Sequence, residues 1–294
     1  MSPSAGVVRN TTDESVLERA FSALPMLGGA ARWRITPLEG GFANRSWLLA
    51  AADAKLVLRV PVHDTRVLGI DRAGERIAIE AAAAIELAPR LVYFEGGAGL
   101  MLSEYVEGHL WGRADAHDAR CVARLAERLR ALHTLALPEG ARQLDFAALV
   151  ASYRVSLAAR NGAPSRQRAA LEPQADRRLA ALALHPRGRA LCHNDVHHRN
   201  IIDGSVLMLI DWEYAAVGDG IFDLASFACY HELDAAERTH LIESYAPRAA
   251  ATLSKSFDNY CWLFDYMHML WLELSASDAA ECARLMQRLA GSGA

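Results

Sequence analysis

The stretch Leu191–Asp211, LCHNDVHHRNIIDGSVLMLID, constrains this chain more than any other. A short apolar strand at Ala190-Leu191-Cys192 enters a polar loop, and Ile201-Ile202 leads out of it. A tight turn at Asp203-Gly204 then hands the chain to a second apolar run, Val206 to Ile210, which ends on Asp211. Inside this hairpin Asn200 follows Asp195 by five residues, and Asp211 closes the next strand. Moving a phosphoryl group onto a hydroxyl needs a carboxylate to receive the proton. It also needs oxygen ligands that hold a divalent cation against the phosphates. Asp195, Asn200 and Asp211 supply both in that order. Two other readings compete. Asp and Asn are ordinary turn residues, so the loop could be a plain hairpin. His193, His197 and His198 are close enough for zinc, although a zinc-protease helix would carry Glu where Asn194 stands, and this segment reads as strand and loop.

What precedes the hairpin is mostly strand. Thr11-Thr12-Asp13-Glu14 resembles a capping box, with Val16, Leu17, Ala20, Phe21 and Leu24 at helical spacing behind it. Short strands follow at Trp33–Pro37 and Ser46–Ala50, and Gly40-Gly41 lies between them. Glycines there let the backbone approach a triphosphate and offer it N–H groups, though no Walker P-loop sequence is present. The strand Lys55–Val60 alternates, with Leu56, Leu58 and Val60 on one face and Lys55, Val57 and Arg59 on the other. The chain holds only two lysines, Lys55 and Lys255, so Arg59 is the cation expected to reach the phosphates. Asp71 is placed to cap a helix from Arg72 to about Leu87. Glu75 in its first turns would pair with Arg59, as a Lys–Glu pair does in kinases. Strands at Leu91–Phe94 and Leu100–Tyr105 complete the set. The exit Glu104-Tyr105-Val106-Glu107-Gly108 reads as a hinge whose backbone would contact adenine.

Beyond Gly108 the pattern is helical. Asp115 is expected to cap a long amphipathic helix with Val122, Leu125, Leu129 and Leu132 on one face. Further helices are predicted over 145–159 and 166–184, after a Gly218-Asp219-Gly220 turn, and from Ala235 to about Ala290. Strands first and helices afterwards predict an α+β, bilobal molecule. Its small N-terminal antiparallel-sheet lobe would be 1–107, comprising a leader and helix over 1–30 and a sheet with helix 71–87. A larger, mainly helical lobe would occupy 108–294. At 294 residues and 52% hydrophobic the chain can fill a sizeable core. A net charge of −4 gives no basic field for nucleic acid. Five widely spaced cysteines suit a reduced compartment, and neither a signal core nor a membrane-spanning run is evident. A cytoplasmic protein is expected; its oligomeric state is not indicated.

With the motifs assembled, a family resemblance is plain. His193-Asn194-Asp195-Val196-His197-His198-Arg199-Asn200 with Leu209-Ile210-Asp211-Trp212-Glu213-Tyr214-Ala215 resembles the choline/ethanolamine kinase family. That family includes bacterial thiamine kinase and is related to the aminoglycoside phosphotransferases. The likeness extends to Glu39-Gly40-Gly41…Asn44-Arg45-Ser46, Leu58-Arg59, Gly69-Ile70-Asp71-Arg72…Glu75 and Glu104–Gly108, and spans roughly 35–230. It implies a protein-kinase-like fold, ATP and Mg²⁺, with Asp195 as catalytic base and Asn200 and Asp211 as metal ligands. Gly40, Gly41, Asn44, Arg59, Glu75, Glu104 and Val106 would hold the nucleotide. The acceptor implied is a small cationic amino alcohol of choline or ethanolamine type. Thiamine and aminoglycosides are the alternatives, and a nucleotide-binding protein without catalysis is the reading from another class. Aromatic faces with carboxylates nearby suit such a cation, and Trp212, Glu213, Tyr214, Trp262, Asp265 and Trp271 are the candidates. Trp262, Asp265 and Tyr266 also fit a core stripe at helical spacing. His268-Met269-Leu270-Trp271 offers one Trp where choline kinases tend to carry two, three residues apart.

Overall fold

The structure is a computed structural model that describes residues 11–38, 44–61, 68–96, 99–184 and 189–291. The predicted glycine pair Gly40-Gly41 lies outside those residues. The chain divides into two compact units, Met1–Asp64 with Leu91–Tyr105, and Thr65–Arg90 with Val106–Ala294.

Among the described residues the first unit is an antiparallel sheet with one α-helix. Strands β1 (Arg34–Leu38), β2 (Asn44–Ala50), β3 (Lys55–Pro61), β4 (Leu91–Glu95) and β5 (Leu100–Glu104) lie in the order β1-β2-β3-β5-β4. The predicted alternation along β3 holds. Leu58 sits in the core with Trp33, Trp47, Leu49, Leu100 and Leu102, and Leu56 and Val60 pack against them. Helix α1 (Thr11–Ala23) adds Ala20 to the same core, followed by Leu24 and Leu27. The Trp33 indole donates to the Leu27 carbonyl at 2.8 Å, so its polar atom is satisfied where the ring is buried. Arg59 is buried on β3, opposite Ser46 of β2 and Met101 of β5.

The second unit is dominated by helices α2 (Arg72–Ala83), α3 (Ala119–His133), α4 (Phe146–Asn161), α5 (Arg166–Leu184), α6 (Ile221–Tyr230), α7 (Ala235–Tyr245), α8 (Ala250–Ser275) and α9 (Ala279–Gly291). Among the described residues five short strands belong to it: β6 (His109–Leu110), β7 (Arg189–Cys192), β8 (Ile201–Asp203), β9 (Leu207–Leu209) and β10 (Ala216–Asp219). An α+β chain, with an antiparallel sheet near its N-terminus and helices after it, is what the pattern predicted. The sequence division at 107/108 assigned α2 to the first unit, whereas this grouping puts it in the second. The contacts explain why: the Leu209 amide bonds the Leu87 carbonyl just beyond α2 at 2.7 Å, and Arg128 bonds the carbonyls of Ile85 and Glu86.

Three local expectations change. Asp118, not Asp115, caps α3, accepting from the amides of Arg120 and Cys121; the Asp115 carboxylate goes to the Gly112 amide and His109. The helix from Asp71 stops at Ala83, and the turn after it ends on Glu86 at φ +56°. Gly218 and Asp219, read as part of a turn with Gly220, close β10, which pairs with β7 and is too short and too rich in small residues to announce itself. Gly108 is required where the chain enters the second unit, because a Cβ there would meet the Asp203 carbonyl oxygen at 2.7 Å. All five cysteines are free. No helix of the described residues is long and apolar enough to cross a membrane.

Candidate active site

The polar loop between β7 and β8 hangs from one stripe of α6. That helix is apolar nearly all round and buried from Ile221 to Cys229, so its polar residues stand out: Asp223, Ser226 and Tyr230, at i, i+3 and i+7 on one face. Asp223 accepts the backbone amides of His193 at 2.9 Å and Asn194 at 2.6 Å. Ser226 Oγ accepts the Val196 amide at 3.0 Å. The Tyr230 hydroxyl donates to Asp195 Oδ1 at 2.8 Å. Buried backbone amides need partners, and here Asp223 and Ser226, within one turn of a single helix, supply them. His133 of α3 closes the arrangement, its Nε2 3.0 Å from Asp223 and its Nδ1 2.8 Å from the Tyr245 hydroxyl. Gly220 leaves room for that ring, since a Cβ would lie 2.5 Å from His133 Nδ1.

Asp195 is held at both oxygens. Besides the Tyr230 contact, Asn200 Nδ2 donates to its Oδ2 at 3.1 Å and to its backbone carbonyl at 3.0 Å, and His197 Nε2 lies 3.6 Å from Oδ2. Burial by itself would push this carboxyl up. The charge and hydrogen bond of His197, the His193 imidazole and the Tyr230 hydroxyl outweigh it and hold the pKa at about 2. Asp195 is therefore ionised at neutral pH, yet its side chain keeps 17% of its surface open.

The hairpin brings the other two predicted oxygen ligands side by side. Ile201 pairs with Leu209, and the Ile210 amide donates to the Asn200 carbonyl at 2.9 Å, so Asn200 lies next to the start of the Asp211 segment. Asn194 and Asp211 have φ of +65° and +62°, a region that Asn and Asp enter at less cost than most side chains. Both Asn200 amide bonds are directed to Asp195, which turns the carbonyl oxygen the other way. An amide oxygen and a carboxylate are hard oxygen donors, the set that suits Mg²⁺. The zinc reading does not survive. His193 bridges the Asp195 amide and the Ile210 carbonyl, His197 faces Asp195, and His198 bonds His231. Among the described residues, His133, Cys192 and Asp223 come close enough to share an ion, but the Asp223 oxygens already serve two amides and an imidazole.

The remaining candidates separate into two groups. Trp212 is 1% exposed, donates to the Leu209 carbonyl at 2.9 Å and packs on His193, which makes it the floor under the loop. Trp262 is stacked on Tyr266 with Arg178 over its ring, and Asp265 is buried against Arg288. These three are interior residues, because the faces and oxygens a ligand would need are already taken within the unit. Tyr214 and Trp271 meet each other instead, the Trp271 indole donating to the Tyr214 hydroxyl at 2.8 Å. They extend a run of half-buried rings beside Asp195: His197 to Tyr230 at 5.0 Å between centroids, Tyr230 to His268 at 5.1 Å, and His268 to Trp271 at 6.3 Å. Glu213 is buried and bonds Arg72 at 3.2 Å, and Arg72 also bonds Glu75 at 2.8 Å. Glu75 and Glu213 thus share one guanidinium. In the first unit Asn44 and Arg59 are buried, while Glu104 is exposed at the end of β5. Sequence reasoning missed Arg72, Tyr230, Asp223, Ser226 and His268. The signal for three of them was present, a polar i, i+3, i+7 stripe on a helix otherwise apolar; for Arg72 and His268 nothing in the local pattern marks them.

Residues 34–255 match the phosphotransferase enzyme family. The chain belongs to that family. Solved structures agree in fold over nearly the whole chain. A choline/ethanolamine kinase family protein from Mesorhizobium loti is 25% identical, with a TM-score of 0.77 over 95% of this chain and 94% of its own. The choline kinase LicA from Streptococcus pneumoniae is 19% identical, with a TM-score of 0.79 over 96% and 98%. The ADP-bound aminoglycoside phosphotransferase APH(2'')-Ib is 14% identical, with a TM-score of 0.66 over 94% and 96%. No curated protein sequence matches the chain. The fold is kinase-like, and this phosphotransferase is an ATP-dependent enzyme acting on hydroxyl groups of small molecules.

Proposed function

We propose that this phosphotransferase moves the ATP γ-phosphate to the hydroxyl of a small cationic amino alcohol, of choline or ethanolamine type. The observation that carries it is Asp195: an ionised carboxylate fixed by Tyr230 and Asn200, still open, beside the rings of His197, Tyr230, His268, Trp271 and Tyr214. Ring faces attract a cation, and the carboxylate meets the hydroxyl. With a pKa of about 2, Asp195 does not deprotonate an alcohol in the ground state. It orients the O–H and receives the proton as the new O–P bond forms and the bond from the γ-phosphorus to the bridging oxygen of ADP breaks. Asn200 and Asp211 would hold Mg²⁺, which when bound neutralises charge on the phosphates. Gly40, Gly41, Asn44, Arg59, Glu75, Glu104 and Val106 are the residues that the family resemblance implies for the nucleotide.

The carboxylates of the C-terminal helices argue against a polycationic aminoglycoside. Asp265 pairs with Arg288, Glu273 with Arg168, Glu281 with Arg284 and Asp258 with Arg238, so they are matched by arginines of the same unit. ADP release measured with choline, ethanolamine, thiamine and aminoglycosides tests the reading. Turnover with an amino alcohol, abolished by chelating Mg²⁺ and restored by adding it back, is expected; turnover with aminoglycosides alone overturns the acceptor class. In Asp211→Ala, calorimetry should find that Mg²⁺ no longer strengthens ATP binding, and an unchanged affinity would remove that residue from the metal site.

A further inference from the structure

The ring wall beside Asp195 contains one member that is more than a ring. His268 lies on α8 between Phe264 and Trp271, its centroid 5.8 Å and 6.3 Å from theirs and 5.1 Å from that of Tyr230. It is half-buried, and its ring nitrogens make no hydrogen bond among the described residues. The other polar atoms of this wall are engaged: the Tyr230 hydroxyl with Asp195, the Trp271 indole with the Tyr214 hydroxyl, His197 with the Arg199 amide and Asp195. Burial, with Arg288 and His197 acting in the same sense, overcomes the pull of Asp195 and Glu281 and keeps the imidazole pKa at about 4. A neutral imidazole carries one N–H donor and one bare nitrogen acceptor. An acceptor nitrogen in a half-dry wall of rings favours a partner that brings a proton of its own, because leaving it unmet while water is displaced costs affinity.

We infer that His268 selects the acceptor: the second unit is built to take an alcohol whose ammonium still bears an N–H, donated to the His268 ring, in preference to a quaternary ammonium. The inference rests on the proposed placing of the acceptor hydroxyl at Asp195 and narrows it. Ring quadrupoles attract both kinds of cation, so the wall of aromatic faces does not discriminate; the hydrogen-bonding nitrogen does. Removing the N–H by a final methylation leaves the hydroxyl, the charge and the spacer in place and deletes one contact.

The test is a methylation series, ethanolamine, N-methylethanolamine, N,N-dimethylethanolamine and choline, assayed by ADP release in the wild type, His268→Phe, His268→Asn and Asp195→Asn. We expect kcat/KM to fall roughly 10- to 100-fold at the last methyl group, mainly through KM, with the KM for ATP constant. His268→Phe should erase that step and His268→Asn, which keeps an acceptor atom, should retain part of it. Thermal unfolding of both variants checks that they fold. Choline used as well as the dimethyl compound by the wild type, or a step that persists in His268→Phe, overturns the inference. A wild type that phosphorylates only alcohols without an amine overturns it too. In that case loss of turnover in Asp195→Asn with the alcohol that is used still supports the base, so the two claims fail separately.

Discussion

Two hydrogen bonds decide what Asp195 does. A carboxylate accepting from Tyr230 on one oxygen and Asn200 on the other has one orientation, and the positive side of His197 keeps it ionised. Asp195→Asn should cut turnover by roughly 10²- to 10⁴-fold while ATP affinity by calorimetry stays near wild type, since in the proposed reaction this carboxylate faces the acceptor hydroxyl. Tyr230→Phe deletes one hydrogen bond to a charged group and leaves the ring. A loss of about 10-fold in kcat with little change in thermal stability is expected, and steady-state kinetics beside a melting curve would show it. The fully paired Asp223 is a different case. It is buried, with two amides and His133 on its oxygens, and Asp223→Ala should destabilise the fold by about 3 kcal/mol in urea titrations, because two backbone amides lose their partner.

At the scale of elements, α6 and the β8–β9 hairpin do the positioning. A helix apolar on every side is driven inside, and the three polar residues it carries then have to find partners. The partners are the amides of the loop that holds Asp195. The hairpin sets Asn200 against Ile210 by register, and a one-residue slip would turn Asn200 and Asp211 to other faces. Ser226→Ala, at the middle of the α6 stripe, frees the Val196 amide. It should lower kcat several-fold while a melting curve shifts only slightly, because Asp223 still anchors the two residues before it. Helix α2 is tied in the same way. Its first residue, Arg72, bridges Glu75 on its own helix and Glu213 beyond Asp211, so the segment after Asp211 is pinned by charge as well as by hydrogen bonds.

Across the whole molecule, pH is the variable that tests burial. His231 and His268 are both held at about 4 by burial, well under the ordinary histidine value near 6.5. The unfolded chain therefore binds more protons than the folded one between these values, and stability rises with pH across that window. It is fully present above pH 6.5 and is lost as the pH falls toward 4, by about 3 kcal/mol for each histidine at the full shift. Melting temperatures recorded from pH 8 to pH 4.5 should fall mainly below pH 6.5, and the fall should be smaller in His268→Phe. A flat profile through that range would mean these rings are already solvated.

How much of this was legible beforehand follows from the range of each interaction. Alternation along β3, the cap at Asp71, and the Asp195–Asn200–Asp211 spacing are local facts, written within a few residues of one another, and the chain carries them without help. At Trp262 and Asp265 the local pattern does not discriminate, because their helical spacing is shared by core residues and cleft residues alike. The pairing of β10 with β7, the guanidinium between Glu75 and Glu213, the α6 residues under the Asp195 loop, and the packing of His268 beside Tyr230 join positions tens to more than a hundred residues apart. Those contacts exist only because burying apolar helices brings distant segments together. Sequence determined the chemistry this protein carries and the elements that bear it; packing decided which polar groups meet, since a hydrogen bond has no reach until the chain has closed around it.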